Sequence, residues 1–510
     1  MRRELRRKAT LVIPRVLILL FCINCLRVAA ACDQIPAGET FWVRLLDPVS
    51  SYRSKPGTRL RAIVVESPRC DGVPMFAEGT RIEGAVKSAR RVGLGFVHET
   101  AQLTIQFDRL TPDSGEPIDV NAYVVEVANA RELAKKGVIH GIRSTDTPQG
   151  RITSRLKHMP TWNPYSDMVL IVYRAAFPIS AEPEIYFPPG TDLRLELSAA
   201  LRVTGMTPAG PANRDFADSE TFALNEMARS LPARTSTVKG RDADVVNLMF
   251  VGSREQIADA FHAAGWMNSD PNSKGSVLRQ FHAFITLNSY SRAPISKQML
   301  QGQSSDSAWE KSFDSYGKRD HLRIWSEPET WQGLPVWASA SSRETGAVLS
   351  VRRRRFIHHV DANLDEERDK VVRDLTLAGC VDAVHDSPRV TVPETSENAT
   401  GDELHTNGAV AVVQLKNCSQ PVFDGSSVVS AMAPRPGNKV TRYIRTQVLT
   451  FRSDVVRGNI IYGAFDLGRM TLTALRRNHL RNYNAKRVPS SPPVFSDPEP
   501  SPAGFTTIGK

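Results

Sequence analysis

The stretch DADVVNLMFVGSREQIADAFHAAGW, residues 242–266, decides the second half of the fold. Val245 to Val251 is a short, nearly unbroken apolar run, Gly252 and Ser253 interrupt it, and Glu255 to Ala264 then places apolar residues at helical spacing. A run of that length bounded by a turn reads as an apolar strand. Ser253 followed three positions later by Gln256 is a capping-box pair, in which each side chain can satisfy a free backbone N–H near the other. A strand, a turn and a capped helix in that order open an α/β (or α+β) layered domain.

Toward the C-terminus the pattern keeps alternating. Val277 to Leu287 has helical spacing, strands are expected at His321 to Trp325, Pro335 to Ala340 and Val348 to Val360, and Ala362 to Ala378 reads as a helix ending at Gly379. These elements set the layered domain at residues 242–390. An extension over 391–488 follows, with a strand at Ala409 to Leu415 and a helix near Asn459 to Leu480. Asp466 and Arg469 inside that helix argue against a membrane span. The proline-rich residues 489–510 read as a disordered tail.

Toward the N-terminus, residues 206–241 lack sustained period apart from a short helical candidate at Glu220 to Leu231, and read as a linker. Residues 32–205 instead carry short alternating runs at Phe41 to Leu46, Arg59 to Val65, Thr80 to Val86, Ala101 to Phe107, Val120 to Val127 and Leu193 to Leu197. One phrase recurs: Pro36-Ala37-Gly38, Ala77-Glu78-Gly79 and Pro188-Pro189-Gly190 each stand shortly before a strand. Glycine there supplies the positive φ of a tight turn. The expectation is an all-β barrel or sandwich, interrupted between Asn129 and Pro164 by an insertion or loop. The fold class is therefore multidomain, an N-terminal β domain followed by an α/β one, and a chain of 510 residues has the length for two cores.

The first 31 residues run from Arg2, Arg3, Arg6, Arg7 and Lys8 through the apolar Val16 to Leu26 to Ala29-Ala30-Ala31. That order is a signal peptide, and the apolar run is shorter than the roughly 20 residues a spanning helix needs. Export to the periplasm or cell envelope follows, with membrane anchoring through an uncleaved signal or a lipidated Cys32 as the alternative. The net charge of +11 falls by six with the signal, which holds seven basic groups and one acidic group. The remainder is too mildly basic to indicate nucleic acid. Cys22 and Cys25 leave with the signal, so Cys32, Cys70, Cys380 and Cys418 remain for an oxidising compartment. Cys32 with Cys70 is the expected pair, and Cys380 with Cys418 a second.

Three groups of residues could carry chemistry. On a strand, His321, Arg323 and Trp325 share one face opposite Leu322 and Ile324. Imidazole, guanidinium and indole together could hold an anionic ligand, or the face could lie covered by a neighbouring element. Arg352 to Arg355 could meet a lipid headgroup or remain solvated. Asp361, Asp365 and Asp369 follow at i, i+4 steps, with His359 just before them and Arg368 among them. Carboxylates and imidazole at that spacing could bind a divalent metal. The same acids also suit a helix start, where Asp361 would cap and the others complement the dipole. No Gly-x-Ser-x-Gly elbow, P-loop or His-Glu-x-x-His motif is present, so the most recognisable enzyme classes are absent.

Several phrases between Leu231 and Pro388 resemble the LssY C-terminal domain family. They are Val246-Asn247-Leu248 with Val251-Gly252-Ser253, Ala264-Gly265-Trp266, Lys318-Arg319-Asp320-His321-Leu322-Arg323-Ile324-Trp325, Pro335-Val336-Trp337, and His358-His359-Val360-Asp361 leading to Asp365-Glu366-Glu367-Arg368-Asp369. Some members fuse this domain to a membrane phosphatase, whose Pro-Ser-Gly-His phrase is missing here, so that activity does not carry over. The turn phrases of the β domain resemble the β-barrel modules of VirB10 and TrbI-type envelope secretion proteins. Two functional expectations result. The first is an envelope binding or assembly module whose partner is an envelope protein or an anionic ligand, with no nucleic acid involved. The second is a metal-dependent hydrolase using His321, His359, Asp361 and Asp365. The sequence leaves any cofactor unknown.

Overall fold

Six strands of the N-terminal half close on themselves. Thr40–Leu45, Arg59–Glu66, Arg81–Arg90, Gln102–Thr111, Ile118–Val127 and Asp192–Leu197 pair in that order, all antiparallel, and the last returns to the first. Closure leaves no unpaired strand edge in the ring. This is a computed structural model that describes residues 34–451 except 71–72, 95–97, 113–114, 157–160, 162, 177–180, 204–212, 316, 351–354, 420 and 424–437, together with 471, 472 and 475. The signal segment, Cys32, most of the arginine run and nearly all of the 459–480 helix lie outside the described residues.

Alternation builds the barrel. Phe41, Val43 and Leu45, Leu60, Ala62 and Val64, and Leu193, Leu195 and Leu197 all point into one buried interior. Gly38, Gly79 and Gly190 of the recurring phrase have φ of 87°, 91° and 86°, as the turns require. The Asn129 to Pro164 insertion is structured, with a Leu133–Lys135/Val138–His140 hairpin joined to the barrel and a helix at Pro148–Leu156. A further helix at Lys439–Phe451, which the sequence did not signal, adds Leu449 to the barrel core and sends Arg445 to Glu182 at 2.6 Å and Glu184 at 3.2 Å.

The second half is a mixed sheet between layers. Leu248–Val251 runs through its middle, parallel to Val410–Leu415 and antiparallel to Leu334–Ser350. All four of its residues are fully buried, so the strand is covered on both faces. The run itself divides at Val246-Asn247, because Asp242–Val245 pairs into a separate small sheet. The Arg254–Ala263 helix follows, and the capping box is present: Gln256 N donates to Ser253 Oγ at 3.2 Å and Ser253 N to Gln256 Oε1 at 2.9 Å. The pieces expected as Pro335 to Ala340 and the start of Val348 to Val360 belong to the single strand Leu334–Ser350, which pairs back onto Arg355–Val360.

One sheet face packs on the Arg254–Ala263 and Leu364–Leu377 helices through Phe250, Phe261, Trp266, Leu322, Ile324, Val371 and Leu375. The opposite face packs through Met249, Val251, Trp325, Ala338 and Val412 on Leu224 and Ala228 of the Asp218–Ser230 helix. That helix, which the sequence offered at Glu220 to Leu231, and the Arg234–Thr237 strand lie inside the segment expected to be a linker; the helix contributes to the core of the layered domain and the strand pairs into the small sheet with Asp242–Val245. Cys380 and Cys418 form a disulfide that ties the end of the Leu364–Leu377 helix to the segment after Val410–Leu415. Among the described residues no helix is long and apolar enough to cross a membrane.

Candidate functional site

The Arg319–Trp331 strand divides its residues as period two demands. Leu322 and Ile324 enter the helix-side core, while His321, Arg323 and Trp325 turn the other way. That second face is covered as well. Arg323 bonds Asp244 Oδ2 at 2.9 Å and Ser296 O at 3.0 Å, and Trp325 donates to Gln303 O at 3.2 Å. The open ligand face that the sequence allowed is therefore closed by Asp244 and the 296–304 segment, and the Arg323 and Trp325 donors are spent on protein partners.

His321 sits in a buried charge network whose partners all belong to the layered domain. Its Nε2 lies 3.3 Å from Ser342 Oγ, and its Nδ1 is 3.8 Å from Glu344 Oε1. Glu344 also pairs with Arg319 at 2.7 Å and with His358 at 2.7 Å, and Arg319 reaches Glu310. Ser342, His321 and Glu344 have the residue types of an acyl-transfer triad. The resemblance ends there, because the His–Glu separation exceeds hydrogen-bond reach and Ser342 is fully buried, away from both cavities described below. Burial pulls the His321 pKa down to about 4, Glu344 only partly opposing it, so the imidazole is neutral. Burial likewise pushes Glu310 up to about 7 against the pull of Arg319.

The acidic segment does not assemble into a metal site either. His359 is half exposed and pairs with Asp402 at 2.8 Å. Asp361 precedes the Leu364–Leu377 helix, so it cannot share a helical face with Asp365 and Asp369, and Asn363, not Asp361, caps the helix by accepting from Glu366 N at 3.3 Å. Asp365 accepts from Thr406 Oγ1 and Asn407 N, both at 2.8 Å. Arg368 joins Asp365 at 3.0 Å, Asp369 at 2.9 Å and Asn407 at 2.9 Å. This cluster fastens the 405–409 loop to the helix. Among the described residues no group of three His, Cys, Asp or Glu could hold a metal ion, so the hydrolase constellation of His321, His359, Asp361 and Asp365 is not brought together.

The structure gathers a different set of charges at the seam between barrel and layered domain. On Thr40–Leu45, Val43 and Leu45 face the barrel interior and Arg44 faces out, yet Arg44 is only 1% exposed because the Leu364–Leu377 helix covers it. Arg44 bonds Asp192 of the barrel at 2.7 and 2.9 Å and Asp374 of that helix at 2.5 Å. Asp374 also accepts from Lys311 at 2.9 Å, Lys370 at 3.2 Å and Trp266 Nε1 at 3.0 Å. Lys370 continues to Asp320 at 3.0 Å, and Asn129 Nδ2 donates to Asp320 at 2.8 Å. Burial alone would raise the Asp374 pKa, but Lys311, Lys370 and Arg44 override it and hold the carboxyl well below its usual range. Lys311 is drawn down to about 8 by burial and by the neighbouring Arg44. Glu367, buried beside Asp320, is pushed well up by burial and by that like charge.

Sequence reasoning missed this set. A faint signal exists on the helix, where Glu367, Lys370 and Asp374 recur at three- and four-residue steps with Val371 and Leu375, placing charges on the stripe that should be apolar. Arg44 and Asp192 give no such signal.

A cavity of about 320 Å³ opens beside the network, walled by barrel residues including Ala128, Asn129 and Tyr186 and by layered-domain residues including Met267, Lys311 and Phe313. A second space of about 30 Å³, room for a water, lies on the other side against Arg44, Asp361 and Glu367. Asp192 and Lys370 border both.

Residues 228–410 match the family model described as LssY C-terminus. The match begins within the Asp218–Ser230 helix and ends at the first residue of the Val410–Leu415 strand, so it takes in the layered domain. No curated protein matches the chain. Among solved structures, one described as the structure of ComB10 of the Com type IV secretion system of Helicobacter pylori is similar at 11% identity, covering 33% of this chain and 89% of that chain, with a TM-score of 0.20. A score that low carries no argument about this chain.

Proposed function

We propose that this chain is an exported cell-envelope protein acting as a binding or assembly module, and that the cavity at the barrel seam is where it binds. The observation that carries this reading is the cavity itself, about 320 Å³ and walled by both domains. Concave sites at domain junctions with a few fixed polar groups are the usual places for ligands. The basic, apolar and small-residue order of residues 1–31 supports export, and the Cys380–Cys418 disulfide suits an oxidising compartment. Membrane association would come through the N-terminal segment.

The test is photo-crosslinking in cells. A benzophenone side chain at Met267, inside the cavity, should give a discrete adduct with an envelope component, whereas the same group at Leu133 on the exposed hairpin should not. The reading fails if Met267 and Leu133 give the same adducts, if neither reacts, or if fractionation places the mature chain in the cytoplasm.

A further inference from the structure

We infer that the seam cavity takes a cationic group, a primary ammonium or guanidinium on a short apolar stem. This deepens the binding reading above and rests on it. The walls hold six carboxylate residues against three cationic ones. Most of those carboxylates are committed to partners, so charge alone would decide little. The decisive group is Asn129.

Asn129 lines the cavity, is 6% exposed, and has a left-handed backbone with φ of 54°. Asparagine is among the few non-glycine residues that adopt that conformation readily. Its Nδ2 donates to Asp320 at 2.8 Å and more weakly to Lys311 O at 3.4 Å. Both donors are thereby fixed, which orients the amide and leaves Oδ1 as a buried acceptor without a protein partner. A buried acceptor with lone pairs to fill requires a donor, and leaving it unmet costs about 1–3 kcal/mol. An anion would add acceptors to acceptors. An ammonium or guanidinium supplies several N–H groups and a charge that Asp320 favours. Phe313, Phe423 and Tyr186 give the walls on which the stem and the cation can pack.

Two sources present this chemistry, a free amine or the Lys or Arg side chain of a partner peptide. Calorimetric titration of the mature protein with agmatine and with the capped peptide acetyl-Gly-Arg-Gly-amide separates them, and glutarate of similar length serves as the anionic control. Binding of either cation above glutarate, weakening with salt, is the expected result, and the tighter of the two identifies the source. Asn129→Gly keeps the positive φ and removes the acceptor together with the donor to Asp320, so affinity should fall roughly ten- to a hundredfold while the melting temperature falls only by the loss of that one hydrogen bond. Asp320→Asn should weaken binding too; if that variant fails to fold, Asn129→Gly still decides. Binding no better than glutarate, or unchanged affinity in Asn129→Gly, overturns the cationic assignment. A Met267 adduct in cells alongside a failed titration would reject the ligand class alone, while loss of the adduct would reject the binding site itself.

Discussion

The two faces of the Arg319–Trp331 strand hold two buried charge networks that differ in one respect. Arg319, His321 and Arg323 face a network that is closed within the layered domain. Asp320, one position away, faces the network that joins the domain to the barrel and borders the cavity. Both contain pairs at 2.5 to 3.0 Å, so their local chemistry is alike. What separates them is how each meets the cavity. The first touches it only through Glu310, which Arg319 holds, whereas the seam network borders it through Asp192, Lys311, Asp320 and Lys370 and also joins the two domains.

The largest expected effect is at Asp374, which answers Arg44, Lys311 and Lys370 together. Asp374→Ala leaves three buried cations short of a counter-charge and should cost about 3–5 kcal/mol. Urea unfolding followed by tryptophan fluorescence measures it. If the loss were below about 1 kcal/mol, the seam would be solvated in solution and the contrast with the network around His321 would fail.

The network around His321 should show itself through pH. His321 has its pKa lowered from 6.5 to about 4 in the fold, so the unfolded chain binds the proton more readily between those values. Its contribution to stability is complete above pH 6.5 and is lost as pH falls toward 4. Glu310 works in the opposite sense: its pKa is raised from 4.5 to about 7, so its contribution is complete below pH 4.5 and lost as pH rises through 7. His321→Asn should therefore remove a decline of up to roughly 3 kcal/mol on acidification, and Glu310→Gln should remove the counter-trend. Denaturation midpoints measured between pH 4 and pH 7.5 check both. Profiles superimposable on wild type would show that water reaches this network, and the contrast between the two faces would then fail.

The smallest effect sharpens the comparison at the seam helix. Asn363→Ala removes the cap and should cost about 1 kcal/mol. Asp361→Ala, which loses only an acceptor for Asn363 N at 3.1 Å, should stay within about 0.5 kcal/mol by thermal melting. The reverse order would return the capping role to Asp361.

Residues whose role depends on near neighbours were legible in the sequence. The strand, Gly252-Ser253 and the capped helix were readable from a few adjacent positions, as were the alternating barrel strands, the three glycine turns and the division of Leu322 and Ile324 from His321 and Arg323. The resemblance to the LssY C-terminus came from phrases of the same local kind. The Asp361, Asp365 and Asp369 ladder misled because its helix starts at Leu364, and a boundary shift of two residues removes Asp361 from the face. The helical candidate at Glu220 to Leu231 was legible and is the Asp218–Ser230 helix, but its place in the core was not, because only Leu224 and Ala228 on it are buried.

The sequence by itself determined the local elements, the two-part order and which side chains share a face, because hydrogen bonding and period act over a few residues. Only the tertiary structure decided what covers each face. Arg44 lies 148 residues from Asp192 and 330 from Asp374, and no pattern along the chain announces that these three meet. Whether a charged side chain is solvated, sealed or open to a cavity depends on the desolvation imposed by chain segments remote in sequence. That is why the seam was invisible until the barrel and the layered domain stood against each other.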